Sequence, residues 1–480
     1  MSAVVLNIIV MAVYFAVLIT IGILTQKKVK GAADFHIGGR QIGPWVTSLS
    51  FVATYFSSVL IIGGGAFGYQ FGMATVWIAA ANVLLGATLC WIILGKRVRH
   101  ATEQYNVHTM SGFFTKRYNS PEAGIFSAAV IALFLILYNV GVLKGMANAL
   151  EGLMGLPYWL GVVISAAVIL FYVTTGGYFA VVWTAFFQAI IMIFAMVMMG
   201  FYTISAVGGF STMNQKLAEI QSKTPLGLVS TPGDWGWAGL LSFMLVTSLG
   251  TWAMPQLVVR FYSIKSHKMF SIGTIAVTIA TAAAVFPYLC GAASRIILGK
   301  IDNPDLAIPL LTKQVLPSWG AAVFLAGVIA AGMSTFAGVQ IVISGAIVRD
   351  ILKEGLKKKY DDKKEVKLSR LFSIAVGIIA LLIALKPPAL ILVIMVFAWA
   401  VIASTNFWPM LFGIYWKRAN KAGAFSSMIV GSVSALVWSA LKNPYGIHGY
   451  FIGTILGLIT IVLVSLMTGN KAPEKKKKGK

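Results

Sequence analysis

The chain has 480 residues, 58% of them apolar and 11% charged, with a mean hydropathy of +0.85. That is more apolar length than one or two soluble cores can bury, so soluble enzymes and nucleic-acid-binding domains are excluded and a polytopic membrane protein remains. The net charge of +24, from 38 Lys and Arg against 14 Asp and Glu, then has to be read by where it sits.

Thirteen apolar runs follow in order: 4–25, 44–70, 73–94, 122–152, 157–175, 178–205, 237–258, 270–298, 319–348, 370–386, 389–412, 421–441 and 450–468. Each is near the roughly 20 residues that cross a hydrocarbon core. They are too continuous for the alternating pattern of a membrane barrel, so the fold class is all-α. The first run has no basic residue before it and no small-residue cleavage pattern after it; it reads as a retained span. With an external N-terminus, the segments carrying Lys27, Lys28, Arg97, Arg99, Arg260, the 353–370 connection, Lys417 and the 471–480 tail all fall on the cytoplasmic side. This is the positive-inside pattern of a multi-pass plasma-membrane protein, and the lysine tail is suited to anionic membrane lipid. No nucleic-acid partner is implied, and the oligomeric state is not set.

Tyr14, Trp45, Trp77, Trp91, Trp159, Trp235, Trp237 and Trp319 fall near run ends and read as interfacial anchors. The connections 207–235 and 299–317 are external and amphipathic enough for short lid helices, and 350–370 is charged and expected to be mobile. Cys90 and Cys290 read as buried thiols.

No Asp, Glu or His falls inside an apolar run except at its very ends, where Glu122 and Glu151 stand. A membrane-embedded enzyme would need a nucleophile with its base, or a metal cluster, at depth, so an enzyme is not expected. Carriers that move protons on buried carboxylates are likewise disfavoured.

The second and seventh runs break their own helix pattern. The second holds Pro44, then Thr54, Ser57 and Ser58, then three glycines at 63–65; the seventh holds Thr247, Ser248, Gly250, Thr251 and Pro255. The seventh starts five spans after the second, so they cross in opposite senses, as the paired discontinuous helices of a 5+5 inverted repeat do. One transmembrane domain over 1–480 is expected: a peripheral helix in 1–30, repeats at 44–205 and 237–412, two peripheral helices in 421–468, and the cytoplasmic tail.

Five segments in order, Gly-Gly-Arg-Gln-Ile-Gly-Pro at 38–44, Ser-Phe-Val-Ala-Thr at 50–54, Gly-Gly-Tyr-Phe-Ala-Val-Val-Trp-Thr at 176–184 with Gln188, Pro255 with Arg260 and Phe261, and Ala-Gly-Met-Ser-Thr at 331–335, resemble the sodium/solute symporter family over about residues 35–440. The resemblance implies a LeuT-type inverted repeat and a Na⁺ site between spans two and nine. The carbonyls of Ala53, Phe56 and Ala331 and the hydroxyls of Ser334 and Thr335 would hold the ion. Neutral oxygens suit a hard monovalent cation that must be released each cycle. Small hydroxyl residues also bond back to the preceding turn, which is the other reading of Ser334 and Thr335. Two departures from the family bear on coupling. Tyr55 and Ala185 stand where relatives carry acids, so one ion per cycle is expected; Thr247 and Thr251 replace aromatics of the proline branch, which disfavours proline.

The implied function is Na⁺-coupled symport of a small polar or carboxylate-bearing solute, an amino acid, monocarboxylate or related metabolite. Candidate solute contacts are Thr54, Ser57, Ser58, Tyr138, Asn139, Lys144, Thr247, Ser248 and Thr251. Lys144 is the one basic residue well within a run. It would meet a solute carboxylate, carry a coupling proton in a proton-coupled alternative, or snorkel outward from a position about 10 Å off the midplane. A solute-binding membrane sensor is a further alternative, weakened by a lysine tail with no signalling domain after it.

Overall fold

The computed structural model describes residues 3–387 and 391–469; the 471–480 tail and the expected start of the eleventh span lie outside the described residues. Among the described residues every named element is helical, and the one β feature is an isolated parallel bridge between Ile42 and Ile264. The main helices are α1 Ala3–Gln26, α2 Pro44–Tyr55, α3 Gly64–Phe71, α4 76–104, α5 Pro121–Met154, α6 Tyr158–Ala206, α7 Gly236–Ser248 and α8 Pro255–Ser263. They are followed by α9 His267–Leu298, α10 Ser318–Gly355, α11 Asp362–Ala384, α12 Ile391–Tyr415, α13 Lys421–Ala440 and α14 Gly449–Thr468.

Eleven continuous helices among the described residues are long and apolar enough to cross a membrane, against thirteen expected runs. Two of the eleven are too long for one crossing. Tyr158–Ala206 has 49 residues and Val59–Gln104 has 46, about 74 and 69 Å at 1.5 Å per residue, more than twice a hydrocarbon core of about 30 Å. Each turns at a left-handed glycine. Gly177 has φ 54°, and a Cβ there would stand 2.7 Å from the Phe35 ring; at Gly72, φ 65°, it would stand 2.1 Å from the Leu228 carbonyl oxygen. Only glycine fits such backbone.

Local chemistry sets the helix ends. α5 starts at Pro121 behind Ser120, whose hydroxyl accepts from the Ala123 amide at 3.2 Å, and ends at Gly155 in the left-handed region. The burial pattern orders the bundle: 94% of the apolar window of α10 is buried and 83% of that of α12, against 28% for α1 and 22% for α14. α10 is therefore the axis around which the other helices pack, and α1 and α14 turn most of their apolar surface outward, as helices facing lipid do.

Several expectations change. The 350–370 connection is not loose. Asp361 caps α11 through the Lys364 amide, so that helix begins eight residues before the expected 370, and Glu365, fully buried, pairs with Arg349 at 3.2 Å and with Lys353. Trp91 and Tyr14 are not at an interface. Trp91 is buried edge-on against Phe51 and Phe261, and the Tyr14 hydroxyl accepts from Gln188 Nε2 at 2.7 Å. The connections expected to form short helices do so at Phe210–Glu219 and Ala307–Val315. Both cysteines are free and buried.

Candidate functional site: two broken helices around an oxygen cluster and an aromatic cavity

The first break follows α2. Phe56 has φ −89° and ψ 84°, which swings its carbonyl off the helix axis. The Leu60 amide, its partner in an unbroken helix, donates to Ser57 O at 2.9 Å instead. The second break lies between α7 and α8, where Met254 is extended (φ −81°, ψ 112°) and Pro255 restarts the helix without needing a donor. At their far ends the two broken helices are tied: the Ile42 amide donates to Ser263 O at 3.1 Å, and the Lys265 amide to Ile42 O at 2.9 Å.

At the first break, α10 brings its hydroxyls against α2. Ser334 Oγ lies 2.8 Å from Ala53 O and 3.0 Å from Ala331 O, and Thr335 Oγ1 donates to Thr54 O at 3.0 Å. A single hydroxyl proton cannot serve Ala53 O and Ala331 O at once, so lone pairs converge on one spot between the helices. Both readings of Ser334 are thus present in one geometry, the bond back to its own turn and the bond across. The donor set is all neutral oxygen, at the carbonyl end of α2 where the helix dipole is negative, and this fits a hard monovalent cation. Spreading these oxygens from their present spacing to that around a small cation, about 3.4 Å for ligands about 2.4 Å from it, takes a shift of about half an ångström.

Beside this cluster is a small cavity. Its floor is Tyr55, Phe56 and Ser57 at the first break, with Leu60 above and Thr247 at the end of α7; Tyr138, Tyr288, Met395, Trp399 and Asn82 close the sides. Tyr55 stacks on Trp399 at 6.4 Å, and Tyr138 meets the same indole at 5.8 Å. The Tyr55 hydroxyl donates to Thr247 O at 2.9 Å, joining the two breaks. Tyr138 reaches both Ser57, in the cavity wall, and Thr335, in the oxygen cluster.

Of the residues expected to meet solute, Ser57, Tyr138 and Thr247 line this cavity. The others point elsewhere. Ser58 Oγ donates to Val142 O at 2.8 Å, Ser248 Oγ to Met244 O at 2.5 Å, and Thr251 Oγ1 to Ser248 O at 2.6 Å with Gly86 O at 3.0 Å. Thr54 Oγ1 accepts from Arg260 Nη2 at 2.8 Å, and Asn139 is buried with its amide outside the cavity lining. Lys144 Nζ is 3.1 Å from Asp305 Oδ2, and that carboxylate is 1% exposed. Asp305 sits outside the apolar runs, and only the fold carries it to the lysine. Sequence reasoning missed Asn82, Tyr288, Met395 and Trp399. Asn82 and Trp399 carry a faint signal, since each is polar-tipped and stands inside an otherwise apolar run.

A second small cavity lies toward the basic side of the bundle and is lined by His36, His108, Thr109, Tyr262, Asp350 and residues of α10. Thr109 Oγ1 donates to Asp350 Oδ1 at 2.7 Å. Burial, with Arg349 and Lys353 nearby, holds His36 down to about 3, and burial with Arg349 holds His108 down to about 2, so both are neutral near pH 7.

Two broken helices, joined by the Tyr55–Thr247 hydrogen bond and set beside an oxygen cluster and a cavity, define a secondary transporter of the inverted-repeat type. The sodium:solute symporter family matches residues 35–431. Among curated relatives, the "Osmoregulated proline transporter OpuE" of Bacillus subtilis is 30% identical over 96% of this chain and 95% of its own length, and a "Sodium/proline symporter" of Staphylococcus aureus is 31% identical over 96% and 92%. A Na⁺-coupled sialic acid symporter solved in a substrate-bound outward-open state shares the fold, with TM-score 0.83 at 20% identity over 98% of this chain and 99% of that one. The nucleobase-cation-symport-1 transporter Mhp1 aligns at TM-score 0.60 and 16% identity, over 92% and 96%. The chain belongs to the sodium:solute symporter family, a family of membrane transporters rather than enzymes, and Na⁺ is its coupling ion.

Proposed function

We propose that this protein carries a small zwitterionic, amino-acid-like solute into the cell together with one Na⁺. In this reading Ala53, Phe56, Ala331, Ser334 and Thr335 hold the ion, and the solute occupies the cavity bounded by Tyr55, Tyr138, Thr247 and Trp399. The observation that carries it is the convergence of Ala53 O, Ala331 O and Ser334 Oγ within 3.0 Å beside that cavity. Tyr138, which reaches into both places, lets ion and solute favour the same closed arrangement. The curated relatives named for proline support an amino-acid-like solute.

One ion per cycle follows from Tyr55 and Ala185, which supply no carboxylate for a second. An inward Na⁺ gains about 2.3 kcal/mol per 100 mV, enough to concentrate a solute many-fold. The topology that goes with this reading has thirteen crossings, the two overlong helices counting twice, repeats at 44–205 and 237–412, an external N-terminus and a cytoplasmic C-terminus. Lys144, bound to Asp305, belongs in it to the closed external path and not to the solute.

The test is uptake of labelled L-proline into proteoliposomes with and without an inward Na⁺ gradient. Accumulation should require the gradient, and Ser334→Ala should raise the half-saturating Na⁺ concentration about tenfold, one charge-assisted ligand being lost. Uptake that follows a proton gradient and ignores Na⁺ would overturn the assignment.

A further inference from the structure

We infer that the cavity is built for a zwitterion whose nitrogen is alkylated, a secondary or quaternary ammonium, and that Trp399 and Asn82 orient it. The inference rests on the solute reading above. Among the described residues, no charged side chain lines the cavity. A cationic nitrogen placed there has no carboxylate to meet. It meets aromatic faces instead: Tyr55, Phe56, Tyr138, Tyr288 and Trp399, each at most 5% exposed. Ring faces attract cations through their quadrupole, and desolvated cages of this composition are how proteins take quaternary ammonium groups.

Two atoms complete the description. Trp399 Nε1 and Asn82 Oδ1 are buried with no hydrogen-bond partner, and both residues line the cavity. A buried orphan donor and a buried orphan acceptor are costly unless something arrives to use them. Across a small aromatic cage, Trp399 Nε1 with the hydroxyls of Ser57, Tyr138 and Tyr288 matches a carboxylate at one end of a solute, and Asn82 Oδ1 an N–H or polarised N–CH at the other. A primary ammonium fits less well, because it gives up three hydration bonds and the ring faces that make up most of the wall accept none of them in full. A carboxylate without nitrogen leaves Asn82 Oδ1 unpaired and the ring faces without their cation. The Thr247 hydroxyl proton is committed to Phe243 O at 2.9 Å, and that of Tyr55 to Thr247 O, so neither is free to donate to a second carboxylate oxygen.

The sequence argument against proline rested on the missing aromatics at 247 and 251. The cage draws its rings from other helices, α2, α5, α9 and α12, so that argument does not reach it.

The experiment compares four probes on the purified protein by thermal shift in Na⁺: L-proline, glycine betaine, L-valine and cyclopentanecarboxylate. The last is proline with its ammonium replaced by a methylene. L-proline and glycine betaine should stabilise the protein at concentrations at least tenfold below those needed for L-valine, and cyclopentanecarboxylate should not stabilise it. Trp399→Phe, which keeps a ring and removes the N–H, and Asn82→Leu should each weaken both alkylated probes about tenfold. In both variants the shift produced by Na⁺ alone should remain. Stabilisation by L-valine or cyclopentanecarboxylate equal to that by the alkylated pair, or by none of the four, overturns the cage. A shift from the alkylated pair that is the same in Na⁺ and in K⁺ upholds the cage and overturns the sodium coupling.

Discussion

Arg260 is the residue whose surroundings explain least by themselves. It is fully buried, and its Nη2 donates to Thr54 Oγ1 at 2.8 Å while its guanidinium lies 5.2 Å from the Tyr178 ring centroid. Nε and Nη1 have no partner, and among the described residues no carboxylate lies within 4 Å of it. A buried charge without a counter-ion is expensive to keep. Its place gives it a use: Thr54 follows Ala53 and accepts from Thr335, so the guanidinium stands within about 8 Å of the oxygen cluster, where like charges at an effective dielectric of about 20 repel by roughly 2 kcal/mol. Arg260→Gln keeps a donor for Thr54 and removes the charge. The half-saturating Na⁺ concentration for uptake should then fall by several-fold, and the maximal rate should fall with it as release slows. An unchanged Na⁺ dependence with normal expression would show that the charge is screened from the ion.

At the scale of elements, the connection 299–317 makes, among the described residues, one ion pair to the bundle. Asp305, at 1% exposure, takes Lys144 of α5 at 3.1 Å and the Ile391 amide of α12 at 3.5 Å. Removing the lysine leaves an uncompensated buried carboxylate, which costs about 3–5 kcal/mol, whereas removing both charges costs far less. Lys144→Met should lower thermal stability and uptake, and Lys144→Met with Asp305→Asn should recover most of both. If Lys144 handled solute or protons, the double variant would recover stability without uptake. This pair marks the limit of what the sequence made legible. The helical fold and the two breaks could be read because each is carried by residues near one another in the chain, glycine and proline within a run, whereas the oxygen cluster, which joins Ala53 to Ser334 across 281 positions, came only from the family resemblance. The solute cavity could not, because Asn82, Tyr288 and Trp399 come from three separate helices and each alone looks like an ordinary core residue. Lys144 was visible as an anomaly, but its partner lies 161 positions away in a segment of ordinary loop composition.

At the scale of the whole bundle, the second cavity, lined by His36, His108 and Asp350, lies beyond α8 toward the basic end. His36 comes from the short helix before α2, His108 from the segment after α4, and Asp350 from the end of α10. They join three parts that any opening on this side would have to separate. Both histidines have folded-state values held far below the ordinary 6.5, chiefly by burial and then by Arg349. The unfolded or opened chain therefore takes up protons below about pH 6.5 that the closed chain does not. Through the histidines, stability of the closed form is complete above pH 6.5 and declines as pH falls toward the folded values of about 3 and 2, by up to about 1.4 kcal/mol per pH unit for each, while the Asp350 carboxyl of the same cavity, raised by burial, takes up a proton in the closed form and offsets about one of them. Melting temperature in detergent should accordingly drop between pH 6.5 and about pH 4.5, and His36→Gln with His108→Gln should remove that drop or reverse it, the Asp350 carboxyl then acting alone. Because the same protonation favours separation of these three parts, cysteine labelling introduced at Thr109 should speed up over the same pH range in the parent and not in the double variant. A melting temperature flat across that range would place both imidazoles in contact with water and remove the histidines from the gate.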